Sequence, residues 1–176
     1  MPIAPLTLEM AIREVWTQCR FAELSYANIN LKSQHGSEAL SSSIHSFLSH
    51  CAMVSKFLWS THIAGEGGEP IARILGVSDN SPIKSRSFRD TLEHYDRYLK
   101  EWVERRGEGI NIMDHCVGPK SAVVGSNIIR VRNYDPTTMD FTLIDQDLDL
   151  NRLYQEILKI KDSADQWVRA NTRWGA

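Results

Sequence analysis

Between Leu8 and Leu58 the chain repeats apolar side chains at steps of three and four, a pattern that admits little besides amphipathic helices. Leu8, Ile12, Val15, Cys19, Ala22, Tyr26 and Ile29 form one stripe. Leu40, Ile44, Phe47, Leu48, Cys51, Val54 and Leu58 form a second of the same period. Thr7 is the expected cap of the first helix. The connection containing His35-Gly36-Ser37 is short and polar, so the two helices are expected to pack antiparallel, each covering the other's apolar side.

Beyond Leu58 the punctuation changes. Gly65-Glu66-Gly67-Gly68-Glu69 has no Lys-Ser or Lys-Thr pair after it and no strand before it, so it reads as a loop and not as a phosphate cradle. Pro70 is expected to start a short helix reaching about Leu75. Ser81-Pro82 predicts the cap and first position of a long third helix, with Phe88, Leu92, Tyr95, Leu99 and Trp102 inward and Gly107 and Gly109 as its stop. From 110 to 145 the period falls to two. Ile129, Val131 and Asn133 predict a strand, Asp135-Pro136-Thr137-Thr138 a turn, and Met139, Phe141 and Leu143 the returning strand. A further strand is expected around Ala122-Val123-Val124. Asp145 or Asp147 would cap a last helix whose inward stripe is Leu150, Tyr154, Ile157, Lys161, Ala164 and Val168, flanked by Leu153 and Trp167. The expected fold is thus mainly α. It is a four-long-helix up-down bundle with a short extra helix and a small antiparallel β-hairpin insertion at 110–145 before the last helix, in a single domain over 1–176.

A chain of 176 residues has room for that core, and 42% hydrophobic with 24% charged residues is globular and not disordered. A formal charge of -2 offers no bulk attraction for nucleic acid or acidic membranes. No apolar run approaches the length of a bilayer span and the Met1-Pro2 start has no signal-peptide pattern, so no membrane partner and a cytoplasmic location are expected. Cys19, Cys51 and Cys116 are far apart, and the first two fall on apolar stripes as small buried thiols. His45 and His50 are five apart and lie on different sides of their helix, His62 lies beyond them, and His35 and His115 fall in loops. No metal site or other cofactor is expected. Arg130 and Arg132 read as a solvent-facing strand side. Trp102 reads as core, Trp167 as core edge and Trp174 as terminal.

The residues that carry chemistry lie on the third helix, in Arg89-Asp90-Thr91-Leu92-Glu93-His94. Asp90 and His94 are four apart and share a helix face, so the carboxylate can fix an imidazole tautomer and leave the other nitrogen outward. Arg89 lies around the helix from His94, so a second helix or a second copy must close any pocket. The competing structural account pairs Arg89 with Glu93 and Asp90 with Arg97 or His94 on a solvated face. Arg86, Arg89, Arg97, Arg105 and Arg106 together can form a local positive rim.

Arg89, the polar Asp90, three further residues and His94 resemble the arginine-polar-three-residue-histidine motif of the HEPN superfamily. The resemblance covers this helix closely and the bundle more loosely. It implies an all-helical, often dimeric fold and metal-independent RNA cleavage, with Arg89 on the scissile phosphate, Asp90 supporting it and His94 in proton transfer. The implied partners are a second copy of the chain and RNA; a regulatory protein partner is expected under the interaction-module alternative. Asp96 stands where tyrosine-modified toxins of the superfamily carry a tyrosine, so the likeness does not extend to that subclass. A catalytically inactive bundle that binds a ligand or another protein is the alternative.

Overall fold

The structure, a computed structural model, describes residues 3–32, 37–65, 70–106, 108–122 and 127–171, and for 32, 86–89 and 120 the backbone alone. Helix α1 runs Pro5–Lys32 and α2 runs Ser37–Leu58. Both stripes are buried as expected, Leu8 partly and every other member within 6% exposure. The cross-links run in opposite chain directions: Gln18 to His50 at 2.7 Å, then Ser25 to Ser46 at 3.1 Å. The two helices are therefore antiparallel. Thr7 lies inside α1 and is not its cap, because the helix already begins at Pro5, whose fixed φ suits a first turn.

Short helices α3 (Thr61–Ala64) and α4 (Ile71–Ile74) follow, and Pro70 is the residue before α4 and not its first member. The glycine-rich expectation at 66–69 falls outside the described residues. Pro82–Lys84 forms a single 3-10 turn, and Ser81 caps nothing: its buried hydroxyl has no hydrogen bond among the described residues.

The expected long third helix is two helices, α5 (Arg86–Glu93) and α6 (Tyr95–Arg106), with His94 between them at φ -122°, ψ 37°. No glycine or proline lies in this stretch, so local propensity predicts no break. The division follows from what each half packs against. Thr91 of α5 is buried and accepts a hydrogen bond from Gln146 at 2.8 Å, whereas Tyr95 at the start of α6 lies beneath the guanidinium of Arg132, 5.6 Å from its ring centre. Asp96 in the first turn of α6 and Arg105 and Arg106 in its last suit the dipole of a helix that starts anew. The Gly107 stop lies outside the described residues, and Gly109 turns at φ 84°.

Among the described residues the insertion is a two-stranded parallel sheet and a four-stranded mixed sheet, and not a lone antiparallel hairpin. β1 (Asn111–Met113) pairs parallel with β3 (Ile128–Arg130), and β2 (Cys116–Val117) pairs parallel with β4 (Arg132–Asp135). β4 pairs antiparallel with β5 (Asp140–Leu143), and β5 with β6 (Gln146–Asp149), so the four-stranded sheet has the order β2-β4-β5-β6. The period-2 reading saw the β4–β5 part, whose turn is held by Asp135 accepting from the Thr137 amide at 2.9 Å. It could not see the parallel pairings, which join segments through long connections. Ala122 belongs to a 3-10 turn, Lys120–Ala122, and 123–126 lie outside the described residues.

Helix α7 (Leu150–Asn171) lays Leu150, Leu153, Ile157, Ile160 and Ala164 into the core. Tyr154 stacks on Tyr26 at 3.9 Å and Lys161 reaches Glu23 at 2.8 Å, which docks α7 on α1. Its cap is Asp149, which accepts the Arg152 amide at 2.8 Å. Asp145 and Asp147, the two expected caps, are committed elsewhere: Asp147 accepts from the Thr142 hydroxyl at 2.7 Å, and Asp145 from the Trp102 indole at 3.0 Å and from Arg106. The result is a mainly helical bundle with a small mixed β insertion. Among the described residues no helix is long and apolar enough to cross a membrane.

Candidate functional site

The motif residues sit on α5 and at its end. Asp90 and His94 remain one turn apart, since the Asp90 carbonyl accepts the His94 amide at 2.9 Å. The helix restarts at once, with the Tyr98 amide bonded to the His94 carbonyl at 3.1 Å. His94 thus occupies a joint between two helices, exposed, and among the described residues its imidazole makes no hydrogen bond or ion pair. The anchors on either side of it are fixed: Thr91 to β6 and Tyr95 under Arg132. Arg89 lies on α5 by its backbone; its side chain falls outside the described residues, as do those of Arg86 and Phe88.

The positive rim is smaller than the sequence implies. Arg106 is committed to Asp145 and lies 4.8 Å over the Trp102 ring, and Arg105 bonds to the Glu101 carbonyl. Arg97 is exposed, with its guanidinium 4.9 Å from the Tyr98 ring centre.

A second polar site, which the sequence reading missed, lies between α2 and the β insertion. The outer row of α2, with Glu38, Ser42, His45 and Ser49, faces His115 and Arg132 across a cleft of about 510 Å³ whose lining residues are all polar. Arg132 was expected to face solvent. Instead it forks onto Asp114, with Nε to Oδ1 at 2.8 Å and Nη2 to Oδ2, and covers Tyr95. Arg130 likewise turns inward, to the Pro119 carbonyl at 3.1 Å and the Asn133 amide oxygen at 2.7 Å. Alternation placed both arginines on one outer side because it took 128–134 as one strand. Buried Val131 separates β3 from β4, so the two arginines serve different loops.

His115 adopts φ 52°, a left-handed conformation uncommon for a residue with a side chain, and its amide bonds to Asp114 Oδ1 at 2.8 Å. Its Nδ1 is buried with no hydrogen bond among the described residues. Burial pushes the Asp114 carboxyl up, but the hydrogen bonds from Arg132 and the His115 amide and the guanidinium charge outweigh it, so its pKa is lowered. Burial, then the charge of Arg132, lowers that of His45. A signal for this cleft was present in the sequence as Asp114-His115 and Arg132, but eighteen residues separate the ion pair and nothing local links them.

Outside the cleft, His50, Cys19 and Cys51 are packed structural groups. His50 bonds through Nδ1 to Gln18 and packs on Phe21, and burial lowers its pKa. Burial pushes the Cys19 thiol up to about 12 and that of Cys51 well above its usual value. Among the described residues no three His, Cys, Asp or Glu side chains gather as a metal-holding group.

The fold and the joint at His94 define a helical bundle with a mixed β insertion and one free histidine between two anchored helices. No protein-family model, curated protein or solved structure matches this chain.

Proposed function

We propose that this chain is a metal-independent endoribonuclease of HEPN type. The observation that supports the reading most is the exposed His94 imidazole, without a hydrogen bond among the described residues, at the joint between α5 and α6, five residues after Arg89 and four after Asp90.

In this mechanism His94 takes the proton of an RNA 2′-hydroxyl, whose oxygen attacks the adjacent phosphorus. Arg89 balances charge on the nonbridging oxygens, and Asp90 helps to orient the pair. The bond from phosphorus to the 5′-oxygen breaks, leaving a 2′,3′-cyclic phosphate. The departing 5′-oxygen takes a proton from a second imidazole, supplied by a second copy of the chain, or from water. A two-fold dimer would bring two such helices to one cleft. The location consistent with an RNA substrate of this kind is the cytoplasm. End-group analysis of cleaved RNA, in chelator, tests the reading: 2′,3′-cyclic phosphate termini produced by the wild type and lost in His94→Ala support it, and equal product from both overturns it.

A second reading, a protein-interaction or regulatory module, has one specific observation in its favour. Leu6, Met10, Phe21, Leu24 and Leu31 of α1 are 45 to 71% exposed, opposite the buried stripe.

A further inference from the structure

We propose that the cleft between α2 and the β insertion, around His45, His115 and Arg132, is a binding site for a phosphate ester. The chemistry of the lining argues for it. All its lining residues are of polar types: one glutamate, four serines, two histidines and one arginine. What the cleft offers is hydrogen-bonding capacity. Asp114 occupies Nε and Nη2 of Arg132, which leaves the Nη1 edge of a planar guanidinium held in place from below by Tyr95. The His115 ring lines the cleft, and its buried Nδ1 has no hydrogen bond among the described residues. His45 and the short hydroxyls of Ser42 and Ser49 face these groups from α2.

The Asp114 carboxylate is paired with Arg132 and lies 3.8 Å from His115 Nε2, and among the described lining residues Glu38 is the one acid. A volume of about 510 Å³ accepts a phosphate with an attached sugar and lies within the usual range for small-ligand sites. Tyr95, which packs under Arg132, is the residue immediately after His94, so the cleft borders the joint. This inference deepens the nuclease reading, on which it rests for one of its two sources: an RNA backbone phosphate next to the cut, or a free phosphorylated small molecule.

The test follows the histidine ring resonances of the full chain by NMR while inorganic phosphate, and separately an uncleavable 2′-O-methyl uridine hexamer, are added. The expected result is saturable movement of the His45 and His115 signals with both probes. Glu38→Gln should tighten phosphate binding and His45→Ala should weaken it, each about 2- to 5-fold, as expected for a charge or donor at a partly solvated rim. Both positions are exposed on α2, so neither change threatens the core. A hexamer that binds about 10-fold tighter than phosphate identifies the RNA backbone as the source; equal binding identifies a free phosphate ester. Absence of movement at His45 and His115 with both probes overturns the proposal, as does movement confined to His62 and His94. Failure of the nuclease reading appears separately, as cleavage unaffected by His94→Ala, and leaves the titration result standing.

Discussion

Replacing Trp102 by Phe should lower stability by about 2–3 kcal/mol. The indole is 1% exposed and donates to Asp145 Oδ2 at 3.0 Å. Phe removes that donor, and a hydrogen bond to a charged group is worth about 1.5–3 kcal/mol. The lower end applies, because Asp145 keeps Arg106 and is itself half solvated, so no acceptor is orphaned. The smaller ring leaves a void that adds about 1 kcal/mol. In a chain of this length the sum corresponds to a Tm lower by about 5–10 °C. Asp145→Asn keeps an acceptor for the indole and loses only a partly exposed ion pair, for about 0.2–1 kcal/mol. Trp102→Ala empties the site and costs about 3–5 kcal/mol. Urea unfolding, with midpoints compared at constant m value, measures all three. The reasoning is refuted if Trp102→Phe lies within 0.5 kcal/mol of wild type, or if Asp145→Asn is as damaging as Trp102→Ala.

Other outcomes follow from the same contacts. Asp149→Ala should cost about 1 kcal/mol by uncapping α7 while Asp147→Ala leaves that cap intact, and a helix-end probe by hydrogen exchange at Arg152 separates the two. His45 and His50 have folded-state pKa values below the unfolded value of 6.5, so the unfolded chain binds protons first; stability is full above pH 6.5 and falls as pH drops below it. The lowered carboxylates Asp79, Asp114 and Asp135 keep their contribution until pH nears their ordinary 3.8, so the first acid step belongs to the histidines. Denaturation midpoints at pH 7.5 and 5.5 should differ in wild type and differ less in His50→Gln; an unchanged difference contradicts the assignment. Leu24→Glu, on the exposed side of α1, should leave unfolding within about 0.5 kcal/mol of wild type, and a larger loss would mean that the stripe is packed in the monomer.

What was legible in the sequence was periodic and locally decided. For α1 and α2 a three-and-four repeat was enough to name the buried stripes, whereas on α7 it missed Ile160 and placed the partly buried Tyr154, Lys161 and Val168 inward. The third helix failed that test because its halves answer to different partners, Gln146 for Thr91 and Arg132 for Tyr95, both far along the chain. The α7 cap was misplaced because Asp145, Asp147 and Asp149 alternate before it, and only tertiary contacts commit the first two, Asp145 to Trp102 and Arg106 of α6 and Asp147 to Thr142 across the β5–β6 pairing. The motif at Arg89, Asp90 and His94 could be read from spacing, whereas the joint that frees His94 could not. The His115 and Arg132 cleft had no local pattern at all, since it depends on one ion pair across eighteen residues and a left-handed turn.

The central claim, that the joint at His94 cuts RNA, is most directly tested by single-turnover cleavage of a labelled RNA by wild type and by His94→Ala with an unchanged unfolding midpoint. A general acid-base histidine is worth about 10²–10⁴ in rate, so His94→Ala should lose at least about 100-fold. Cleavage by that folded variant at the wild-type rate would contradict the account.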